Sequence, residues 1–406
     1  MFLNHFRKLM LLFIVMLAIG ILTACGSEKE KDNNTAAATA GKQNGGVSKE
    51  ASSDAGQKST GNNKPAWEQE WDKVLQAAKK EGELVINNRP SSEGEKFIKL
   101  FEKAYPDIKI KSNTLRPSEL SSRIISEQKN GKFLWDVSLE AGSNTTTVLA
   151  PAGTLADVHD YMIQDPAIVD DKNWYGGFEN GYELFDKIGS YAVVAYNVDS
   201  PYINRKFVPK GELSSLDDLI DPKFKGKIII DDPGSPALGR QILATLLLLK
   251  GEEFVRKIMV DQKPVFLRDK RQMTEWFVSG KYPIAFGADE VLINDMQKDG
   301  LARDSEYLFK EGLPVLKIND LSILKNPPNP NAVKVFTHWF LSKEGQEAYA
   351  EVMQYNSRRK DVKLGDPETA PDFEKMNQKK YEIINSGKGI EAMNKIAAMY
   401  KEIAKK

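Results

Sequence analysis

The strongest constraint on this chain is the regular alternation of short apolar runs with longer amphipathic ones between Trp67 and Lys406. Trp67, Trp71, Val74, Leu75 and Ala78 recur at helical spacing, Gly82 ends that pattern, and Leu84-Val85-Ile86 follows as a run of strand length. The cycle repeats. Phe97, Ile98, Phe101 and Ala104 mark a helix before the strand Ile108-Lys109-Ile110, and Leu120, Ile124 and Ile125 mark another before 136–139. A second series contains strand-like runs at 191–196, 227–230, 265–267 and 284–286, and an extended run at 313–323. Its helices stop at Gly251 and at Ser279-Gly280. Two helices flank 342–345, and 372–406 is helical by period with a break at Gly387 and Gly389. Strands alternating with helices give an α/β architecture with mostly parallel sheets. Two such series, connected by extended runs at 191–198 and 314–323, imply two lobes joined by crossing strands.

The first 66 residues obey different rules. Arg7 and Lys8 precede an apolar stretch from Leu9 to Leu22, then Leu22-Thr23-Ala24-Cys25 and Gly26. Basic start, apolar centre and small residues before a cut describe an export signal. Cys25 is the only cysteine, so no intramolecular disulfide can form. Its tetrapeptide resembles a bacterial lipobox, which implies lipidation of Cys25 and cleavage just before it. Residues 26–66 are rich in Lys, Glu, Ser, Asn, Gly and Ala and carry too little apolar surface to offset ordering entropy. They read as a flexible tether whose length fits a thick cell wall of the Gram-positive kind. The expected organisation is a signal peptide at 1–24, lipidated cysteine and tether at 25–66, the first lobe at 67–190 and the second at 191–313. A return to the first lobe at 314–362 and C-terminal helices at 363–406 complete it.

In open α/β sheets, ligands meet the loops at strand tips, where helix N-termini and free amides converge. Here those tips are 87–93, 140–145, 231–240 and 287–291. Arg89 suits an anion or is a solvated surface arginine; Ser91 and Ser92 offer hydroxyls or cap the next helix. Gly142, Ser143, Asn144 and Thr145 offer amides and hydroxyls for a carboxylate or phosphonate, or form a plain capping loop. Gly234 and Ser235 form a similar nest, with Ser235 as cap and Pro236 at the first helical position. Asp289 and Glu290 suit a cation or amine, or are helix N-terminal acids favoured by the macrodipole. Glu140 shares that ambiguity. Tyr196 and Tyr282 stack on a ligand or belong to the core. His159 and His338 lack zinc spacing and read as structural.

The signal, the tether and the two α/β series together resemble an ABC-transporter solute-binding lipoprotein. The group is the one containing ferric-iron, thiamine and aminoethylphosphonate binding proteins. The run Arg271-Gln272-Met273-Thr274-Glu275-Trp276-Phe277-Val278-Ser279-Gly280-Lys281-Tyr282-Pro283-Ile284-Ala285-Phe286-Gly287 looks like that group's helix, glycine turn and strand before the binding loop. The stretches 327–331 and 336–346 look like its helix pair, and Ser357-Arg358-Arg359-Lys360-Asp361-Val362 like its late arginine–aspartate loop. The resemblance implies a two-lobed periplasmic-binding-protein-like (type II) fold with hinged lobes, and transport without catalysis or a resident cofactor. It also implies a membrane permease as partner. Ferric binders of this group carry adjacent tyrosines just after the matching strand; here that place holds Glu290-Val291, and the chain has no Tyr-Tyr pair. The sequence therefore leaves open an iron complex, a phosphonate or organic anion, and an amine, with the metal unknown.

Basic and acidic residues balance at 57 each, which gives no surplus for a nucleic-acid surface. A monomer outside the cell membrane is the expected state. Two other functions fit the same features: a ligand-sensing lipoprotein that partners a histidine kinase, and a secreted enzyme on the same fold. The enzyme would need a convergent acid, base and nucleophile, and no Gly-x-Ser-x-Gly, Walker or His-Glu-x-x-His motif occurs.

Overall fold

The computed structural model describes residues 64–405 apart from 89, 90, 114, 116, 140, 141, 184–188 and 386. They fall within one compact unit, Asn62–Lys406. Cys25 and the tether lie outside the described residues, as do Arg89 and Glu140.

Among the described residues, ten strands form two five-stranded sheets. They are β1 (Glu83–Asn88), β2 (Lys109–Asn113), β3 (Val137–Leu139), β4 (Tyr191–Val198) and β5 (Tyr202–Asn204). The rest are β6 (Ile228–Asp231), β7 (Val265–Leu267), β8 (Ile284–Phe286), β9 (Ser305–Tyr307) and β10 (Leu313–Ile323). The orders are β2-β1-β3-β10-β4 and β7-β6-β8-β5-β9. Each sheet is parallel through its first three strands, which helices connect, and antiparallel where the last two join.

Two aromatic and aliphatic cores make the lobes. Helices Ser92–Ala104, Pro330–Leu341 and Lys343–Met353 cover the first sheet. Phe97, Phe101, Phe336, Trp339, Phe340 and Tyr349 are buried together there, with ring centroids 4.9–6.2 Å apart. Each such side chain contributes about 1.5–3 kcal/mol by leaving water. In the second lobe, helix Gly387–Ile403 lays Met393, Ile396 and Met399 against Ile242, Leu243 and Leu246 of helix Leu238–Lys250.

β4 and β10 run antiparallel along most of their length and belong to both lobes. Tyr191, Val193, Leu321 and Ile323 are buried in the first core, whereas Val198, Leu313 and Val315 are buried in the second. This corrects the boundary read at 191. β4 pairs within the first sheet, and the second sheet takes its first strand from Tyr202 onward. β5 and β9 escaped sequence reading because three-residue strands carry no periodicity; β5 is held by β8 and β9 on either side. The C-terminal region also differs from expectation. Among its described residues, only 373–377 and 387–403 are helical. Between them the chain hydrogen-bonds along β10, Leu316 N–H to Glu382 O (2.9 Å) and Ile384 N–H to Leu316 O (2.8 Å), so backbone pairing overrides helical period.

The arginine–aspartate loop is a structural clamp. Arg358 is completely buried and donates to Ala192 O (2.9 Å), Tyr175 O (3.0 Å) and Gly177 O (2.8 Å). Arg359 donates to Leu341 O, Ala167 O and Asp361. A pocket of about 360 Å³ beside it is lined by Asp165, Asn173, Lys343 and Asp361, but its guanidinium is already occupied by those partners.

His159 and His338 both make structural contacts. The Asp157 carboxylate accepts from the His159 ring Nδ1–H (2.9 Å), and the ring stacks on Tyr182. His338 stacks on Trp71 with ring centroids 4.2 Å apart, its Nε2 3.1 Å from Asp165. Burial lowers the His338 pKa below its ordinary 6.5, outweighing Asp165. The unfolded chain then takes up this proton at higher pH than the folded one, so stability conferred by the neutral ring is full above pH 6.5 and is lost as pH falls toward the folded pKa. Urea titrations stepped downward from pH 6.5 should show falling stability, with a shallower slope in His338→Gln; equal slopes would reject this assignment.

Candidate functional site

The second-lobe tip is built where β6, β7 and β8 end. Ile228-Ile229-Ile230 are buried on both faces, and the chain emerges as Asp231-Asp232-Pro233-Gly234. The Asp231 carboxylate pairs with Lys270 at 2.9 Å and lies by the first-turn amides of Leu238 and Gly239. Burial raises its pKa against the pull of Lys270 and the amides. Lys270 also donates to Gly287 O at 2.8 Å, which ties the β6 and β8 exits together. Gly287 turns with φ +90, a conformation that favours glycine. A side chain at Gly239 would place its Cβ 2.2 Å from Asp231 O, so helix and strand meet backbone to backbone.

Asp232 organises the adjoining turn. It accepts the Gly234 amide (2.8 Å) and the Arg268 guanidinium. Burial alone would raise its pKa, but Arg268, Gly234 and Tyr400 hold it below the usual carboxylate value. Arg240 donates to Pro233 O and Gly234 O, both at 2.7 Å. Three cations, Arg240, Arg268 and Lys270, thus stand around the Gly234–Ser235 turn. Ser235 is not the helix cap expected for it. Its hydroxyl donates to Asp232 O at 3.0 Å, and the helix begins at Leu238 with Ala237 preceding it, because the Asp232 turn consumes the residues from Pro233 to Pro236.

Next to it, Asp289 caps helix Glu290–Lys298 by accepting Leu292 N–H at 3.1 Å. Glu290 points elsewhere. Solvent reaches it, yet burial and the charge of Asp199 raise its carboxyl against a hydrogen bond from Tyr307. Tyr307 stacks on Tyr202 at 3.9 Å. Lys317 of β10 lies 3.5 Å from Asp199 and 4.9 Å above the Tyr196 ring. Tyr196 donates to Asn319 (3.2 Å) and stacks parallel to Tyr355 at 5.8 Å. This acidic and aromatic group sits at the β4–β10 strand pair. Tyr282 instead packs beside Trp276, away from that group.

On the first lobe, Asn87 is buried at the end of β1. Ser91 caps helix Ser92–Ala104 by accepting Gly94 N–H at 3.0 Å, and the Ser92 hydroxyl donates to Glu93 at 2.7 Å. Gly142-Ser143-Asn144 open a helical turn that widens to a π-turn at Thr145–Leu149. Asn144 donates to Ser121 at 2.9 Å, and Thr146 donates to Gly142 O at 2.8 Å. Thr145 is buried. The loop is therefore braced from helix Pro117–Lys129.

The sequence marks Asp231, Asp232 and Arg240 only as part of the 231–240 strand tip and gives them no role, and it does not mark Arg268, Lys270, Asp199, Tyr307 or Lys317. A signal existed for some of them: Asp231 closes a short buried strand, and Arg268 directly follows a half-buried one. Among the described residues, no three His, Cys, Asp or Glu side chains group to hold a metal ion, and no helix is long and apolar enough to cross a membrane.

Two α/β lobes sharing a strand pair, with polar loops at both sets of strand tips, define a two-lobed type II binding protein. A family model for bacterial extracellular solute-binding proteins matches residues 96–377, and the chain belongs to that family. An uncharacterized protein of Haemophilus influenzae is 28% identical over 134 residues, 32% of this chain and 38% of that relative's length. Among solved structures, iron-bound HitA from Pseudomonas aeruginosa superposes with a TM-score of 0.55 at 20% identity, covering 78% of this chain and 99% of that one. The ferric binding protein from Campylobacter jejuni gives 0.57 at 17%, covering 79% and 98%. AfuA from Actinobacillus pleuropneumoniae, solved with fructose-6-phosphate, gives 0.53 at 21%, covering 79% and 99%. These likenesses establish the two-lobed fold.

Proposed function

We propose that this protein is the capture component of an ABC importer. It closes its two lobes over a small solute and delivers the solute to a membrane permease. The observation that carries this is the β4–β10 pair, whose ends are buried in different cores while polar strand tips stand on either side. Bending there would bring the tips together, and a ligand that touches both favours the closed form. Export and lipidation at Cys25 would hold the monomer outside the membrane on the 26–66 tether.

The charges favour a solute that carries both an oxyanion and a cationic centre. Arg268, Lys270 and the amides and hydroxyl of Gly234–Ser235 suit the oxyanion. Glu290, Asp199 and the neighbouring tyrosines suit the cationic end. On the first lobe, residues 142–145 supply further amides and hydroxyls, with Arg89, Ser91 and Ser92 at the neighbouring tip.

A thermal-shift panel of 2-aminoethylphosphonate, inorganic phosphate, ferric citrate, ferric chloride, spermidine and thiamine tests the reading. A true ligand at a hundred times its Kd stabilises by about 2.7 kcal/mol. The phosphonate should give the largest shift, and replacing Ser143 and Asn144 together by alanine should reduce it without unfolding the protein. A shift with spermidine but none with any oxyanion would reject the ligand class, and no shift with any compound would reject solute capture.

A further inference from the structure

The chain crosses between the lobes a third time. β4 and β10 are the first two crossings, and 363–385 runs from the arginine–aspartate loop of the first lobe to helix Gly387–Ile403 of the second. This stretch is tied down along its way. Gly365 N–H donates to Tyr355 O (3.2 Å) and Asp366 N–H to Asn356 Oδ1 (3.1 Å), beside the first core. Thr369 O then accepts from Asn197 N–H (3.3 Å) at the second-lobe end of β4. Glu368 pairs with Lys310, which closely follows Leu308 of the second core.

The chain next returns to the first lobe. Phe373 stacks on Tyr175 with ring centroids 4.1 Å apart, Asn377 accepts from Gly176 N–H (3.0 Å), and Tyr381 donates to Asn180 (2.9 Å). Trp174, Phe178 and Tyr182, which flank those partners, are buried in the first core. Finally 382–385 lies along the middle of β10, where Ile318 N–H donates to Asn385 Oδ1 (3.0 Å), and Ile384 enters the second core. Packing follows the same course. Met376 and Ile383 are buried against Ala192, Ala195, Leu316 and Ile318, in a cluster separate from either lobe's core. Ala195 pairs with Ile318 and Tyr196 with Lys317, and successive pairs face opposite sides of a sheet. The stretch therefore covers one face of the strand pair and leaves Tyr196 and Lys317 on the other.

We propose that 363–385 is a strap that sets the angle between the lobes. Bending at β4–β10 moves the first-lobe anchors at 175–180 against the second-lobe anchors at 197 and 310, and the strap is bonded to both sets. A swing wider than those bonds tolerate must break them. The strap thus limits how widely the lobes range before a solute arrives, and so how much ordering the solute must supply on closure. This rests on the reading of β4–β10 as the bend between the lobes.

The test measures the distance between the lobes by electron–electron double resonance in the full chain carrying Cys25→Ser. Spin labels sit on Leu134→Cys in the first lobe and Leu301→Cys in the second, both at exposed positions. Phe373→Ala combined with Asn377→Ala removes the ring stack and one anchor and leaves the strand tips untouched. Its melting temperature should stay within about 4 °C of the parent. Its interlobe distance distribution should nevertheless broaden by about half or more. Tyr381→Phe deletes a single hydroxyl anchor and should broaden the distribution by less; it carries the test should the double variant melt lower. Phe207→Ala removes an exposed second-lobe ring outside the strap and should change nothing. If the strap variants keep the parent's distribution while 2-aminoethylphosphonate shifts that of the parent, the strap is refuted and the bend stands. Equal broadening in Phe207→Ala refutes the strap too. If no variant broadens and the probe moves nothing, the bend at β4–β10 itself fails and the strap falls with it.

Discussion

Replacing Arg358 by methionine should destabilise the protein by about 2–4 kcal/mol, since it strips the donor from one buried carbonyl and two half-buried ones, at roughly 1–3 kcal/mol for the buried one and less for the others. Those carbonyls belong to Tyr175, Gly177 and Ala192, so the guanidinium fastens β4 to the chain before it. The space around it is tightly filled. The guanidinium carbon lies 5.8 Å from the Trp174 ring centroid and 5.7 Å from that of Tyr191, and an added Cβ at Gly181 would fall 2.7 Å from Arg358 Nη1. Lysine should recover only part of the loss, because one ammonium cannot reproduce a planar fork that serves three acceptors. Urea unfolding followed by tryptophan fluorescence would check this. A midpoint unchanged in Arg358→Met would show that the carbonyls find other donors.

Gly239→Val carries the second large effect, and it joins stability to binding. The first turn of helix Leu238–Lys250 touches β6 backbone to backbone, and an added Cβ at Gly287 would meet Gly239 N at 2.8 Å. A valine must therefore push the helix away from both strand exits. Overpacking of this kind costs about 1–3 kcal/mol. The displaced elements also carry Asp231, the partner of Lys270, and the Gly234 turn. Affinity for the best solute of the thermal-shift panel should drop about tenfold or more, corresponding to about 1.4 kcal/mol. Gly211→Val is the control, because nothing lies within 4 Å of its added Cβ. Equal behaviour of the two variants in calorimetry and melting would refute the argument.

Much of the second lobe's mechanics was readable from local pattern. The isoleucine run 228–230 followed by Asp-Asp-Pro-Gly announces a buried strand and a turn. The run from Arg271 to Gly287 announces helix, turn and strand, and these appear as Lys270–Val278 and Ile284–Phe286. The Asp289 cap was one of two meanings that the sequence allowed, and the structure gives it to Asp289 while turning Glu290 toward Asp199 and Tyr307. Ser235 went the other way. A serine before proline satisfies a local capping rule, but Asp232 competes for the same few residues and wins, with Arg268 held on the same carboxylate.

Local chemistry was enough to mark most of the longer strands and helices, where the composition breaks near residue 66, and that two α/β series follow one another. Those properties depend on neighbours a few residues apart, which the chain order records directly. Three-dimensional packing alone assigned β4 to the first sheet, created β5 and β9, straightened 382–385 along β10, and brought the Tyr400 ring onto Phe266 and Gly234 from far along the chain. Each of those outcomes depends on partners that meet only after collapse. Burial then makes every amide, carbonyl and carboxylate find its bond wherever the fold happens to place one.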